Sequence, residues 1–289
     1  MILIADSGST KTTWMEVESG NKIVTEGLNP HFTTDETFLA ACSYVCQQFH
    51  LWLHKVADHS SPLTFHLYFY GAGCGSEQQR ERVTSLLSKS FGTSDIHVET
   101  DMLGACRAVC GREAGLVGIL GTGSNACYYD GTSIVLKAPS LGYVLGDHGS
   151  ANHVGRLLLT DYLTGKMPDE VSVLFHDDYG LTHDEWIDAV YHHSTPNRFL
   201  AQVATFAIRH KNDADDYCRN TIRYAFAEWD CYQLADLKLQ TDCHKICVVG
   251  GFGAAVSDVL TDYLTDNFML VGDIIADPID GLRKYHTTA

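Results

Sequence analysis

Short apolar runs and amphipathic stretches follow one another in a repeated order along the chain. Apolar residues at period two over 2–6, 12–18 and 22–26 predict three strands, and helical spacing over 34–55 predicts a helix. Next come an apolar strand over 64–70, a Gly-rich turn over 71–75, a helix over 76–91, a strand over 96–100 and a helix starting at Asp101. The second half opens in the same way, with short strands over 115–120, 125–129 and 132–137. A mostly helical stretch from about 150 to 237 follows, then a strand over 245–249, the turn Gly250-Gly251-Phe252-Gly253, a helix to about Asn267 and a last short strand at Ile274-Ile275. The halves read as a duplicated β-β-β-α unit, so an α/β fold is expected, with the second copy enlarged by a helical insertion. The expected boundaries are a first domain over 1–112 and a second over 113–289, with the insertion over about 150–240 and a last helix that could pack back on the first domain. Such a pair encloses a cleft for a ligand, about which the domains can close.

One turn occurs twice, each time after an apolar run. Ile2-Leu3-Ile4-Ala5 leads into Asp6-Ser7-Gly8-Ser9-Thr10-Lys11, and Val117-Gly118-Ile119-Leu120 leads into Gly121-Thr122-Gly123-Ser124-Asn125. Glycine lets backbone N–H groups approach a ligand closely, and successive N–H groups in a turn form a small anion-binding concavity. Ser7, Ser9, Thr10, Thr122 and Ser124 add hydroxyl donors, and Lys11 adds a mobile positive charge. Asp6 would repel a phosphate unless Mg²⁺ lay between them. Hairpin turns favour the same residue types, so each turn alone is ambiguous. Together they suggest a grip on one polyphosphate.

Composition narrows the class. A chain of 289 residues, 45% of them hydrophobic, has room for two domains with ample cores. No apolar run nears the ~18 residues that a membrane span needs. The chain enters its first strand without a basic segment before a signal-type apolar core, so a cytoplasmic enzyme is expected. A net charge of −16 argues against nucleic acid or an anionic membrane as the main partner. ATP remains compatible, because backbone N–H groups, one lysine and Mg²⁺ can override the global field locally. The ten cysteines include the pairs Cys42/Cys46, Cys106/Cys110 and Cys243/Cys247 but no Cys-x-x-Cys, which favours reduced, packed thiols over zinc. His50 and His54 can share a helical face, but no Glu follows His50 as a His-Glu-x-x-His zinc site requires.

Five ordered segments carry a family resemblance. The chain resembles the actin, sugar kinase and heat-shock ATPase superfamily, and within it the BadF/BadG/BcrA/BcrD-type ATPases and N-acetylglucosamine kinases. Residues Asp6 to Lys11 are similar to the first phosphate loop, Gly121 to Asn125 to the second, and Val248-Val249-Gly250-Gly251-Phe252-Gly253 to the adenosine loop. Gly27-Leu28-Asn29-Pro30 and Gly146-Asp147-His148-Gly149-Ser150 resemble sugar-binding segments, and Thr100-Asp101 resembles the catalytic aspartate at a strand end. The resemblance implies a duplicated ribonuclease H-like (actin-like ATPase) fold and an ATP- and Mg²⁺-dependent kinase of an amino sugar, foremost N-acetylglucosamine. It gives Asp101 the role of base and a contact with the sugar, which Asn29, Gly142 and Asp147 would share. Ser7, Gly8, Ser9, Thr10, Lys11, Gly121, Thr122, Gly123, Ser124, Gly250 and Gly251 would bind the nucleotide, and Asp6 would organise the metal. Homodimers are frequent in the family, although no surface stripe in the sequence marks an interface.

On position alone, Asp101 also suits a helix N-cap and Asn29 a turn before Pro30. The sequence departs from the family where the sugar should lie: the usual Gly-Asp-Glu-Gly-Ser carries His148 in place of Glu, and an aromatic residue of the animal enzymes is Leu141 here, in Ser140-Leu141-Gly142-Tyr143. A bulkier sugar such as N-acetylmuramic acid, alone or beside N-acetylglucosamine, is therefore an alternative substrate. An activator-type ATPase, with a cluster held by paired cysteines, and a non-catalytic sugar sensor are the competing functions. Gly71-x-Gly73 after a strand is a weak dinucleotide signal, because Ser76 stands where the third glycine belongs.

Overall fold

The computed structural model describes residues 1–8, 10–56, 65–213 and 215–287, without side chains over 50–56. Ser9 of the first turn, the His50/His54 pair and the expected strand start at Thr64 lie outside the described residues or side chains. The elements in order are β1 (Ile2–Ser7), β2 (Lys11–Glu16), β3 (Lys22–Glu26), α1 (Asp35–Val56), β4 (His66–Gly71), α2 (Glu77–Phe91), β5 (Ile96–Thr100) and α3 (Asp101–Cys110). Then come β6 (Gly115–Leu120), β7 (Ser124–Tyr129), β8 (Ile134–Lys137), α4 (Gly142–Leu145), α5 (Ala151–Leu163), α6 (Asp169–Tyr179), α7 (His183–Tyr191), α8 (Pro196–His210) and α9 (Tyr217–Trp229). A π-turn (Asp230–Leu234), α10 (Ala235–Thr241), β9 (Lys245–Val249), α11 (Gly251–Ala255), α12 (Ser257–Asp266), β10 (Leu270–Ile275) and α13 (Ile279–Thr287) complete the chain.

The chain forms two compact units, one of Met1–Arg112 with the segment from Pro278, the other of Glu113–Asp277. Each holds a five-stranded sheet, in the order β3-β2-β1-β4-β5 in the first and β10-β9-β6-β7-β8 in the second. In both, the first strand of the unit is central, antiparallel to the hairpin strand that follows it and parallel to the unit's fourth strand, β4 or β9. The two sheets share one topology, so the fold is the duplicated ribonuclease H-like α/β fold.

Strand alternation explains the two faces of the first sheet. Leu3, Ala5, Trp14, Leu67 and Phe69 share a core with Phe38, Val45 and Leu87 of α1 and α2. Ile4, Met15 and Tyr70 point the other way, into a smaller cluster with Ile279 and Leu282 of α13 and Ala108 of α3. The second unit has one larger core, in which Leu116, Leu120 and Val248 of the sheet meet Val154, Phe175, Phe206, Phe226 and Trp229 of the helices. No helix among the described residues is long and apolar enough to cross a membrane.

Two expectations need correction. The segment 250–253 is not an open turn: α11 begins at Gly251, and the expected single helix to Asn267 divides at Val256 into α11 and α12. The cap of α3 is Thr100, whose side chain accepts from the Leu103 N–H, so Asp101 is the first helical residue and not the N-cap.

Candidate active site

In the first unit, the carboxyl ends of β1, β4 and β5 lie side by side, with Ser7 opposite Gly71 and Gly71 opposite Thr100. Open α/β sheets bind ligands at this end of their strands. The first turn closes through Gly8 N–H to Lys11 O, 3.0 Å, and is tied to the next loop through Gly27 N–H to Thr10 O, 3.0 Å. Ser7 is fully buried; its hydroxyl lies 2.8 Å from Thr12 Oγ1 and accepts from the Leu28 N–H at 3.1 Å. Thr10 and Lys11 are exposed and Asp6 is half-buried. Alternation puts Asp6 on the same sheet face as Ile4, opposite Tyr70 in register. One carboxylate beside a Gly-rich turn would suit Mg²⁺, which takes one or two carboxylates together with phosphate oxygens and waters. Among the described residues no group of three His, Cys, Asp or Glu side chains could hold a metal unaided.

Asp101 is half-buried at the first turn of α3, with its Oδ1 accepting from the Met102 N–H at 2.9 Å. Thr100 supplies the N-capping bond to the Leu103 N–H, and Asp101 accepts from another N–H of the same turn. Its negative charge reaches the Gly71–Gly75 turn: burial, and after it Asp101, pushes the Cys74 thiol up to about 12. Asn29 is buried, and its Oδ1 accepts from the His31 N–H at 3.0 Å in an Asx turn, so Nδ2 is the donor end of the amide. Arg82 of α2 fastens this loop by donating to Pro30 O at 2.5 Å and Thr33 O at 3.0 Å, and it pairs with Asp35. Sequence reading passed over Arg82, since a lone Arg on a polar helix carries no signal of a loop clamp.

In the second unit the turn between β6 and β7 is shorter, with Gly121 N–H donating to Gly123 O at 3.0 Å. Side chains hold it. Asp147 accepts from the Ser124 N–H through Oδ1 at 3.2 Å and from Asn152 Nδ2 through Oδ2 at 3.0 Å, and Asn152 Nδ2 also donates to Thr122 O at 2.6 Å. Ser124 Oγ donates to His148 O at 2.6 Å and accepts from Gln233 Nε2 of the π-turn at 2.9 Å. Asp147 adopts φ +55°, a left-handed conformation that aspartate tolerates better than most residues. A Cβ at Gly123 would sit 2.6 Å from Asp147 Oδ2, so glycine is required there for the carboxylate to approach. Asp147, expected as a sugar ligand, thus already braces the second turn within its own unit.

Behind this loop, His153 is 1% exposed. Its Nδ1 accepts from the Gly149 N–H at 3.0 Å, so the ring proton sits on Nε2, 2.9 Å from Glu228 Oε2. Burial outweighs the carboxylate and pushes this imidazole down to about 4. His148 stacks on Tyr232 with ring centroids 4.4 Å apart, and burial lowers its pKa as well. Gly250, in the expected adenosine loop, has φ +136°, and a Cβ there would strike Leu120 O at the start of the second turn. Gly251 opens α11 and is exposed, as is Gly142, which opens α4. Asn152 and Gln233 are the contributions that sequence reading missed. Gln233 reaches Ser124 from 109 positions away through a π-turn that leaves no sequence signature.

No protein-family model and no curated protein matches the chain. Solved structures do. The structure described as a "Putative N-acetylglucosamine Kinase" from Porphyromonas gingivalis aligns at 32% identity and TM-score 0.88, covering 100% of this chain and 99% of that one. A second structure so described, from Chromobacterium violaceum, aligns at 17% identity and TM-score 0.72 over 98% of each chain. A ROK family glucokinase from Streptomyces griseus, in complex with glucose and AMPPNP, aligns at 14% identity and TM-score 0.56 over 100% of this chain and 98% of that one. The last two share the fold. At 32% identity over the whole length, the chain belongs to the family of the Porphyromonas gingivalis protein, a family of sugar kinases with the actin-like ATPase fold.

Proposed function

We propose that this phosphotransferase is an ATP-dependent hexosamine kinase of the BadF/BadG type, acting foremost on N-acetylglucosamine. The observation that carries the reading is the carboxylate of Asp101 at the carboxyl end of the first sheet, one residue after the Thr100 cap. The full-length likeness to a protein described as an N-acetylglucosamine kinase supports the substrate class.

In this reading Asp101 orients a sugar hydroxyl and accepts its proton as the oxygen bonds to the γ-phosphorus and ADP leaves. The N–H groups and hydroxyls of the turns at 7–11 and 121–124 hold phosphate oxygens, and Lys11 neutralises charge on them. Asp6 would hold Mg²⁺, which would supply charge neutralisation to the phosphates when bound. Asn29 presents its Nδ2 donors to a ring hydroxyl, and Gly142 and Asp147 are the further residues proposed for the sugar. Gly250 and Gly251 border the adenosine. Exclusion of water from the reacting groups limits wasteful ATP hydrolysis.

An activator ATPase would need an exposed cysteine pair for its cluster. Cys106 is fully buried and Cys110 half-buried on α3, which favours packing. The test is Asp101→Asn: both substrates should still bind while turnover collapses, because the amide keeps the shape and loses the basicity. Near-normal turnover would remove Asp101 from the chemistry.

A further inference from the structure

The loop that carries Asn29, residues 27–34 between β3 and α1, is held at its two ends by different parts of the first unit. Its entrance hangs on the first Gly-rich turn, with Gly27 N–H donating to Thr10 O at 3.0 Å and Leu28 N–H to Ser7 Oγ at 3.1 Å. Its exit hangs on one side chain of α2. Arg82 donates through Nη1 to Pro30 O at 2.5 Å, through Nη2 to Thr33 O at 3.0 Å, and through Nε and Nη2 to Asp35 Oδ1 at 2.9 and 2.6 Å. One guanidinium thus gathers the residue directly after Asn29, the next-to-last residue of the loop and the first residue of α1. Bonds from a charged donor are roughly twice as strong as neutral ones, and the planar fork holds several acceptors at fixed angles. The ion pair with Asp35 is partly exposed and adds little, so the two carbonyl bonds carry the effect.

What the fork fixes is the placement of Asn29. Phe32 N–H and Thr33 N–H donate to Asn29 O at 3.0 and 2.9 Å, and His31 N–H donates to its Oδ1 at 3.0 Å, so residues 29–33 form one hydrogen-bonded turn that Arg82 grips at 30 and 33. The turn at 71–75 packs against the same amide: Gly73 has φ +86°, and a Cβ there would strike Asn29 Oδ1. That close packing leaves the amide little room, and a small displacement of the turn changes where Nδ2 lies. Among the described residues, the side-chain hydrogen bonds of Arg82 go to Pro30, Thr33 and Asp35, and none goes to the first Gly-rich turn. Loss of Arg82 therefore falls on Asn29 and spares the nucleotide side.

We propose that Arg82 is a positioning residue for the sugar, which sets sugar affinity by fixing the turn from which Asn29 presents Nδ2. The inference rests on the sugar-kinase reading and deepens it, by assigning part of the sugar affinity to α2, a helix with no substrate contact of its own.

The test compares the full-length protein with Arg82→Gln, Arg82→Lys, Asn29→Ala and the Asn29→Ala/Arg82→Gln double variant. Turnover with MgATP is measured for N-acetylglucosamine, N-acetylmuramic acid, glucosamine and glucose. For the sugar with the highest kcat/KM, calorimetry then gives its Kd and that of MgATP. Arg82→Gln should raise the KM and Kd of the sugar by about 10-fold, with kcat within about threefold and the Kd of MgATP within about twofold of the wild type, because uniform binding moves KM and leaves kcat. Arg82→Lys keeps the charge and the aliphatic stem but lacks the fork, so it should still bind the sugar at least ~5-fold more weakly than the wild type. It supplies the same comparison if the Gln variant does not fold. In the Asn29→Ala background, Arg82→Gln should change the kcat/KM of the sugar by less than about twofold. Unchanged sugar affinity in the Arg82 variants, equal losses for sugar and MgATP, a loss confined to kcat, or a full loss repeated in the Asn29→Ala background would each overturn the positioning role and leave the kinase standing. Unfolding of both Arg82 variants, read by circular dichroism, would show a purely structural role and overturn it as well. If the wild type phosphorylates none of the sugars, the kinase reading falls, and the positioning role falls with it.

Discussion

The two Gly-rich turns share a sheet position but are held by different chemistry. The first is closed by its own backbone and by neutral hydroxyls, with Ser7 set between Thr12 and the Leu28 N–H. The second is braced from outside by the carboxylate of Asp147, the amides of Asn152 and Gln233, and the His148 carbonyl. Neutral hydrogen bonds contribute about 0.5–1.5 kcal/mol each, whereas those to a charged group contribute about 1.5–3 kcal/mol. The first turn therefore relies on neutral contacts for its shape. The second invests a charge in its own shape. Duplication of a fold preserved the backbone device, and each copy divides the labour between loop and brace in its own way.

The largest expected effect lies in the first unit. Asp101→Asn should lower kcat by ~10²–10⁴-fold, the usual weight of a general base, while the binding of sugar and MgATP, read by calorimetry, changes by less than about threefold. Equal losses of binding and turnover would show that Asp101 shapes the site instead of accepting a proton.

The brace comes next. Asp147→Ala removes acceptors from Ser124 N–H and Asn152 and should lower kcat/KM for MgATP by roughly 10- to 100-fold. Thr12→Val, which deletes a neutral contact at the first turn, should cost no more than about fivefold. Similar losses in the two variants would erase the distinction between the turns. Gly123→Ala sharpens it, because its Cβ displaces the Asp147 carboxylate. Its loss should be largely absent in an Asp147→Ala background, a non-additivity that a double-mutant cycle measures.

The smallest effect concerns acid. Among the described residues each unit buries one histidine: His153 behind the second turn, and His286 in α13 with Nε2 2.9 Å from Tyr70 Oη, which accepts from Arg107. Burial pushes both imidazoles down to about 4 from an ordinary 6.5. Between those values the unfolded chain binds more protons than the folded one, so stability rises with pH across the window and is complete above about 6.5. The unfolding free energy from urea titrations should fall as pH drops from 7 toward 5, by an amount on the order of 1 kcal/mol per histidine. His153→Gln should flatten part of the slope, and an unchanged slope would mean that the ring is not held neutral.

Much of the architecture was legible because strands and turns are local. The strands over 96–100, 115–120 and 245–249 stand where short runs of the sequence place them, and the doubled three-strand opening reveals the duplication. What escaped depends on distant contacts. Thr100 took the capping role from Asp101 because its hydroxyl lies one residue earlier, at the strand end, where it can accept from Leu103. The break at Val256 between α11 and α12 occurs inside an apolar run of suitable composition, so periodicity does not mark it. The brace at the second turn joins residues at 124, 147, 152 and 233, and its π-turn has no composition of its own. Asp147 drew attention as a loop carboxylate, but the partners of its two oxygens could come only from coordinates.

The most direct test of the central claim is ADP release from MgATP by the purified full-length protein, first without sugar and then with N-acetylglucosamine, N-acetylmuramic acid, glucosamine or glucose. The kinase account expects little release without sugar and a strong increase with an N-acylated hexosamine, lost in Asp101→Asn. Release that is equally fast without sugar, or that survives in Asp101→Asn, would contradict it.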